Sequence, residues 1–224
     1  MARTSKNKEA AIGSQNRTVG PNEAKSALTH CIKLQRPIMM WGAPGIGKSD
    51  IVKQIADAQK REVVDIRLPL WEPTDIKGIP YYNAKENNMV WASPAELPTD
   101  PESTSIVFLD ELNSAAPAVQ AAAYQLILNR RVGQYHLPKG VSIVAAGNRD
   151  SDKGVTYRMP APLANRFVHI ELRVDFEDWM EWATTNHIHP DVVGYCTFAK
   201  QDLYDFDPRG SSRSFATPRS WSFV

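Results

Sequence analysis

Eight consecutive residues form the strongest chemical pattern in this chain. They match the template G-x-x-x-x-G-K-[ST], in which backbone N–H groups surround a phosphate chain. The candidate nucleotide-binding residues are Gly42, Ala43, Pro44, Gly45, Ile46, Gly47, Lys48, Ser49 and the following Asp50. At this spacing we expect Lys48 to reach the β- and γ-phosphates of a nucleotide and the Ser49 hydroxyl to hold Mg²⁺. A glycine-rich turn that merely connects two elements is the less favoured interpretation.

Two adjacent carboxylates follow an apolar run farther along the chain. Asp110 and Glu111 come directly after 105–109, which reads as a buried strand. Open α/β sheets bind ligands beyond the carboxyl ends of their strands, so both acids are expected to face the phosphate loop. Asp110 is suited to bind Mg²⁺ mostly through water, and Glu111 to polarise an attacking water. A solvated acidic turn is disfavoured because the phosphate loop accompanies the pair.

An asparagine ends a second apolar run, 141–147. We expect Asn148 to hydrogen-bond the γ-phosphate or to orient the water beside Glu111, although an ordinary Gly-Asn turn fits the residue alone equally well. The stretch 148–151 resembles the guanine-reading pattern N-K-x-D only superficially. Arg149 replaces its lysine and Ser151 stands where its aspartate belongs, so the sequence argues against a GTPase.

Two arginines complete the candidate site. Arg166 precedes the last predicted strand, where an ordinary surface cation is the alternative interpretation. Thr217-Pro218-Arg219 has the pattern of a helix start, with an N-cap followed by a first-turn proline. Because a cation in a first helical turn is electrostatically misplaced, Arg219 indicates a bound anion nearby. A screened surface arginine is the alternative, at a cost of about 0.3–1 kcal/mol.

Strands alternate with helices over most of the chain, which predicts an α/β fold with a mostly parallel five-stranded sheet. The strand candidates are Pro37–Trp41, Val63–Leu68, Ser105–Leu109, Val141–Ala146 and Val168–Val174. The helix candidates are Glu23–Leu34, Ser49–Gln59, Pro117–Asn129, Phe176–Thr184 and Asp191–Phe198. The strand at 168–174 alternates in polarity, so we expect it to be more exposed than the others.

Three regions follow from this pattern. Residues 1–21 are polar and unpatterned and are predicted to form a flexible arm. Residues 22–174 form the nucleotide-binding core, with an insert at about 71–100 in which 81–82 and 89–91 flank a polar turn and predict a β-hairpin. Residues 175–224 read as a small helical lid that ends one or two turns into a helix, and is therefore expected to be partial.

Composition narrows the function classes. The formal net charge is +1, with 42% hydrophobic and 23% charged residues, so nucleic acid is not a favoured partner. No apolar run approaches membrane-spanning length, and the amino terminus lacks a secretion signal. The two cysteines, Cys31 and Cys196, have no metal-type spacing and fit a reducing compartment. We therefore expect a cytoplasmic location without membrane association.

The order of these motifs from Glu23 to Val224 resembles the AAA+ ATPases. Four short segments are similar to sequences of the MoxR-like, dynein-related branch of this family. They are P-T-D-I-K-G at 73–78, L-D-E-L-N-S-A at 109–115, A-G-N at 146–148 and L-A-N-R-F at 163–167. The resemblance implies a sensor role for Asn148, an arginine finger at Arg166 and a second sensor at Arg219. It also implies that the hairpin projects toward the pore of a ring, and that the lid would normally continue farther.

The same resemblance implies a Mg²⁺-dependent ATPase that forms a ring, most simply a hexamer, and remodels or matures a protein partner. In this branch such partners often carry a von Willebrand A-type domain. Arg166 would reach the ATP of a neighbouring subunit, as arginine fingers supplied in trans do, whereas Arg219 would act in or near its own subunit. A nucleic-acid motor or loader, and a nucleotide-gated scaffold without turnover, are the alternatives.

Overall fold

A six-stranded parallel sheet forms the centre of the molecule. A computed structural model describes residues 17–152, 154–210 and 214–224. The strand order in this sheet is β1-β10-β2-β9-β6-β3, and every neighbouring pair is parallel. Its strands are β1 (Arg17–Val19), β2 (Ile38–Trp41), β3 (Val63–Arg67), β6 (Ile106–Asp110), β9 (Ser142–Gly147) and β10 (Val168–Leu172). Two short hairpins contribute β4 (Ile79–Asn83) with β5 (Asn88–Ala92), and β7 (Arg131–Val132) with β8 (Tyr135–His136).

Helices cover both faces of the sheet and form a separate carboxyl-terminal group. They are α1 (Pro21–Lys33), α2 (Lys48–Ala58), α3 (Pro73–Lys77), α4 (Pro117–Asn129), α5 (Ala161–Ala164), α6 (Phe176–Thr185), α7 (Pro190–Phe198) and α8 (Pro218–Trp221). The five predicted strands and five predicted helices are all present, within three residues at each end. The predicted α/β fold and the β-hairpin insert are confirmed.

The amino-terminal part of the sheet corrects the sequence interpretation. A sixth strand, β1, pairs with β10, and Arg173 donates its backbone N–H to Val19 at 3.0 Å. Residues 17–19 therefore belong to the sheet and not to the predicted flexible arm of residues 1–21, whose first sixteen residues lie outside the described part of the chain. Three residues are too few for a periodic pattern, and only the buried Val19 hints at the strand.

Alternation along each strand separates two hydrophobic layers. Met39, Val107 and Leu109 face the layer that packs on α4. Met40, Phe108 and Ile170 face the layer that packs on α1 and α2. Strands β6 and β9 are buried along their whole length because helices cover both sides. Strand β10 has only Ile170 and Leu172 buried, as its alternating polarity predicts.

The helical lid has its own small core, built around Trp179, Ala183 and Cys196. Amide contacts of Asn22 join the lid to α1: its backbone N–H donates to Asp178, and its side-chain Nδ2 donates to Asp178 and to Glu181, all at 2.9 Å. The lid therefore adjoins the amino end of α1. None of the helices in the described ranges has the length and apolar character needed to cross a membrane.

Candidate nucleotide site

The phosphate loop turns sharply between β2 and α2. Gly45 and Gly47 have φ values of 75° and 92°, in the left-handed region that favours glycine. Gly47 is the residue immediately before α2, so the first N–H groups of that helix point toward the loop. Gly45 and Gly47 thus allow the left-handed backbone of the loop, and they also leave space for a phosphate because they have no side chain.

Lys48 is the most buried cation at this edge of the sheet, with 8% of the residue exposed. Its Nζ donates to the carbonyl oxygens of Gly42 at 2.6 Å and Ala43 at 2.9 Å, and to Asn148 Oδ1 at 3.1 Å. Burial lowers the pKa of Lys48 to about 8, although the negative charges of Asp110 and other nearby carboxylates oppose this effect. The ammonium is thus held beside the loop where phosphates are expected.

Ser49 and Asp110, the two residues predicted to hold Mg²⁺, lie in contact with each other. The Ser49 hydroxyl donates to Asp110 Oδ2 at 3.2 Å, and Asp110 is only 8% exposed. Within the described residues, no group of three or more His, Cys, Asp or Glu side chains is placed to hold a metal unaided. Two oxygen ligands nevertheless fit Mg²⁺, which usually keeps several waters and takes further oxygens from substrate phosphates.

Glu111 adopts a backbone conformation that is rare for glutamate, with φ 55° and ψ 36°. Its N–H donates to Asp110 Oδ1 at 2.9 Å, so the strand turns abruptly directly after the first carboxylate. Left-handed non-glycine residues cluster at functional sites, where the surrounding structure holds them in place. The turn separates the two acids: Asp110 stays buried beside Ser49, whereas Glu111 is partly exposed.

Asn148 lies directly after β9 and contacts Lys48, as described above. Its main-chain oxygen accepts a hydrogen bond from Asn113 Nδ2 at 2.8 Å. Of the two interpretations of this asparagine, the contact with the phosphate-loop lysine favours a role in the site over an isolated turn.

The short helix α8 packs against the phosphate loop. Thr217 caps it by accepting from the Ser220 N–H at 3.0 Å, and Arg219 donates its own N–H to the Gly45 carbonyl at 3.1 Å. A Cβ at Gly45 would lie 2.7–2.8 Å from Thr217, so the two segments are in close contact. The positive charge of Arg219 helps to lower the pKa of Lys48, which is consistent with two cations facing one anion site.

A cleft runs from this contact toward the lid. Its lining includes Gly47, Asp50 and Ile51 from the phosphate-loop side, and Trp179, Trp182 and Arg219 from the lid. The predicted nucleotide-binding Asp50 therefore borders the cleft. The two tryptophans give this cleft an apolar part of its lining, which suits the apolar part of a nucleotide.

Arg166 is the one predicted site residue that lies apart from the others within the described chain. It is exposed and follows α5, just before the amino end of β10. Because β10 and β2 are parallel, Arg166 lies at the opposite edge of the sheet from the phosphate loop, which follows the carboxyl end of β2. One strand length, about 13 Å for four residues, separates the two edges.

Sequence reasoning missed several residues near the site. Arg149 forms ion pairs with Asp152 at 2.9 Å and Glu171 at 3.0 Å, and these hydrogen bonds raise its pKa. Asn113, in the turn after Glu111, has the contact with Asn148 given above. The pair of Arg149 with Glu171 joins segments that are distant in the sequence, so it was not predictable. Arg149 and Asp152 are only three residues apart, but no sequence pattern marks their turn. The segment L-D-E-L-N-S-A contains Asn113 but does not indicate its contact with Asn148.

Comparison with known proteins identifies the family of this chain. The sequence model for "ATPase family associated with various cellular activities (AAA)" matches residues 37–169, more than half of the chain, so the chain belongs to this family. The predicted resemblance to AAA+ ATPases of the MoxR-like branch is confirmed. Midasin from Giardia intestinalis is 28% identical over 185 residues, which are 78% of this chain and 4% of Midasin.

Two solved structures share the fold. A candidate ATPase from Cytophaga hutchinsonii is 22% identical with a TM-score of 0.56, over 77% of this chain and 52% of that protein. A variant of RuvB from Thermotoga maritima is 19% identical with a TM-score of 0.50, over 75% of this chain and 52% of its own. The chain thus spans about half the length of these structures and a small part of Midasin.

Proposed function

We propose that this chain binds ATP together with Mg²⁺ and hydrolyses it. The observation that carries the proposal is that a buried cation, a hydroxyl and a carboxylate lie together beside the phosphate loop. Lys48, Ser49 and Asp110 come from two adjoining elements, yet Lys48 lies over the loop carbonyls and Ser49 contacts Asp110 at 3.2 Å. Family membership supports ATP hydrolysis as the reaction.

Each side chain then has a distinct task. Lys48 and Arg219 neutralise phosphate charge, and the amides of the loop and of α2 bind phosphate oxygens. Ser49, with Asp110 acting mostly through water, would hold Mg²⁺, which supplies charge neutralisation for the transferred phosphoryl group. Glu111 accepts a proton from the attacking water, and Asn148 orients that water or the γ-phosphate.

We further propose that Arg166 completes the ATP site of a neighbouring copy, as an arginine finger in trans. Its place at the opposite edge of the sheet from its own phosphate loop supports this proposal, because a head-to-tail contact brings two different surfaces of neighbouring copies together. Such contacts close into a ring or open into a helix; we propose a ring, for which a hexamer is the family expectation. The ring would remodel or mature a protein partner, and we propose a protein that carries a von Willebrand A-type domain.

A mixing experiment tests the shared site. Arg166→Ala should bind ATP but not hydrolyse it, whereas Lys48→Ala should lose ATP binding and keep its own Arg166. Each variant should be inactive alone, and phosphate release should partly return on mixing, because Lys48→Ala subunits supply the arginine. A finger contributes several orders of magnitude in rate, so even partial complementation is measurable.

Arg36→Ala is the matched control, since this exposed arginine also precedes a strand at the same edge of the sheet. It should keep parental activity. A fully active Arg166→Ala variant would identify an ordinary surface cation, and an inactive mixture would place the arginine in its own subunit. Either result removes the shared site but leaves ATP binding by Lys48 intact.

A further inference from the structure

We propose that Asn113 is a positioning residue for ATP hydrolysis: its side chain holds the main chain of Asn148 and thereby keeps the Asn148 amide beside Lys48. The inference rests on the proposed function, since it concerns the same site. It goes beyond that function by adding a residue that has no phosphate or metal contact in the scheme above.

The contacts of Asn113 join three segments of the chain. Its Nδ2 donates to the Asn148 carbonyl at 2.8 Å, and its main-chain oxygen accepts from the Tyr157 N–H at 2.6 Å. The residue lies in the turn directly after Glu111 and is 1% exposed. Asn113 therefore connects the strand end that carries Glu111 with the strand end that carries Asn148.

This connection continues where the sheet stops. The pairing of β6 with β9 ends at Leu109 and Ala145, several residues before Asn148. The left-handed turn at Glu111 follows, and the Asn113 side chain lies against Gly147, the last residue of β9. Beyond the last paired residues, the Asn113 side chain provides a hydrogen bond between the ends of the two strands.

Gly147 shows how closely the two ends fit together. A Cβ at this position would lie 2.4 Å from Asn113 Oδ1 and 2.6 Å from Met39 Cε. A real Cβ does not approach other heavy atoms so closely, so the Asn113 amide occupies the space that any larger residue at 147 would need. The main chain just before Asn148 is thus held by contact as well as by the hydrogen bond.

The cost of this arrangement argues for a role beyond packing. Asn113 Oδ1 is buried and accepts no hydrogen bond from any residue in the described ranges. Burying an unpaired carbonyl is unfavourable, and an apolar side chain of the same shape would avoid that cost. The donor on the other amide atom, Nδ2, is therefore the polar contact that an asparagine provides here and an apolar residue does not.

Asn113→Leu removes the donor while keeping the shape of the side chain. We expect its kcat for ATP to fall tenfold or more, with the Kd for ATP changed less than threefold. The thermal midpoint should fall by a few degrees, because the Asn148 carbonyl loses its donor. In a crystal structure of this variant, Asn148 Oδ1 should lie beyond hydrogen-bond distance of Lys48 Nζ. The proposal is overturned if kcat is unchanged or if the contact between Asn148 and Lys48 remains.

Gln120→Leu is the matched control. Gln120 is also a buried carboxamide, 2% exposed, and its Nε2 donates to the carbonyl of Ala115 at 3.0 Å, away from Asn148. This variant should lose stability at most and should keep its kcat when assayed well below its thermal midpoint. An equal loss of kcat in both variants would mean that any buried amide in this region has the same effect, and would overturn a specific role for Asn113.

Asn113→Asp gives a second readout, which packing alone does not produce. At this buried site the new carboxyl faces the Asn148 carbonyl, so only its protonated form donates the missing hydrogen bond, and burial raises its pKa. We expect the kcat of the variant relative to the parent to rise severalfold as the pH falls from about 8 to about 6; a flat ratio would overturn the proposal. If the parent itself binds but does not hydrolyse ATP, the proposed function fails, and the crystal structure of Asn113→Leu still decides whether Asn113 holds Asn148.

Discussion

The two edges of the central sheet both hold cations against main-chain carbonyls, but with different chemical surroundings. At the amino edge, Arg61 donates to the carbonyl oxygens of Thr104, Ser105 and Gly140, and also to the Ser142 hydroxyl. At the carboxyl edge, Lys48 donates to two carbonyls in the same manner. The type of hydrogen bond is therefore common to a structural contact and to the candidate site.

The neighbouring acids make the difference between the edges. The negative charges of Asp110 and Glu111 raise the pKa of Lys48 and so oppose the effect of its burial. At Arg61, burial lowers the pKa without an opposing carboxylate. The choice of cation differs as well. The guanidinium stays charged and offers several fixed donors, which suits a contact among immobile carbonyls. The lysine ammonium is a compact charge on a flexible stem, and it can leave the carbonyls for a phosphate.

Removing the acid at the carboxyl edge should have the largest effect. We expect Glu111→Gln to lower kcat for ATP by 100-fold or more, because the amide cannot accept the proton of the attacking water. The Kd for ATP should stay within threefold of the parent, since Lys48 and Ser49 are untouched. Phosphate release and calorimetric titration measure the two quantities, and hydrolysis at the parental rate would show that Glu111 is not the water-activating residue.

The equivalent change at the amino edge should affect stability instead. Arg61→Ala removes the side-chain donor to the carbonyls of Thr104 and Gly140, whereas the Ser105 carbonyl still accepts from the Ser142 N–H. We expect a loss of about 2 kcal/mol in the free energy of unfolding. The Kd for ATP, measured at a temperature where the variant is folded, should equal that of the parent. Arg61→Lys is the control: it keeps the charge but not the fork of donors, and should recover only part of the loss. A weaker affinity for ATP would show that the two edges are coupled.

The carboxyl-edge half of this contrast was predictable from the sequence, because the phosphate loop, the acid pair and Asn148 each follow a predicted strand, whereas no pattern indicated the contacts of Arg61. The order of strands and helices predicted the parallel sheet, and parallel strands place Lys48, Asp110 and Asn148 at one edge. The hairpin at 79–92 was also predictable, from aromatic arms around a polar turn. These features depend on local pattern and on a general rule for α/β sheets.

Contacts between distant segments were not predictable in the same way. Strand β1 has three residues and depends on β10, which lies about 150 positions later in the chain. The bond from Asn113 to Asn148, the ion pair of Arg149 with Glu171 and the packing of α8 on Gly45 likewise require the folded chain. The left-handed backbone of Glu111 could not be predicted from the sequence, because glutamate is not among the residues, such as glycine and asparagine, that are enriched in that conformation.

The smallest expected effect distinguishes the two cations by their titration. The pKa of Lys48 is about 8, below the ordinary value of 10.5, so between these pH values the unfolded chain holds a proton that the folded chain has released. The free energy of unfolding must then rise with pH. Relative to Lys48→Met, which has no titrating amine, the parent should gain about 1 kcal/mol between about pH 7 and about pH 9. Urea unfolding of both proteins at each pH gives this difference, from which other titrating groups cancel.

The same comparison between the parent and Arg61→Met should be flat, because arginine keeps its charge throughout. A flat difference for Lys48 as well would mean that its three oxygen partners and Asp110 outweigh burial, so that the ammonium at the carboxyl edge is held as firmly in its charged form as the guanidinium at the other.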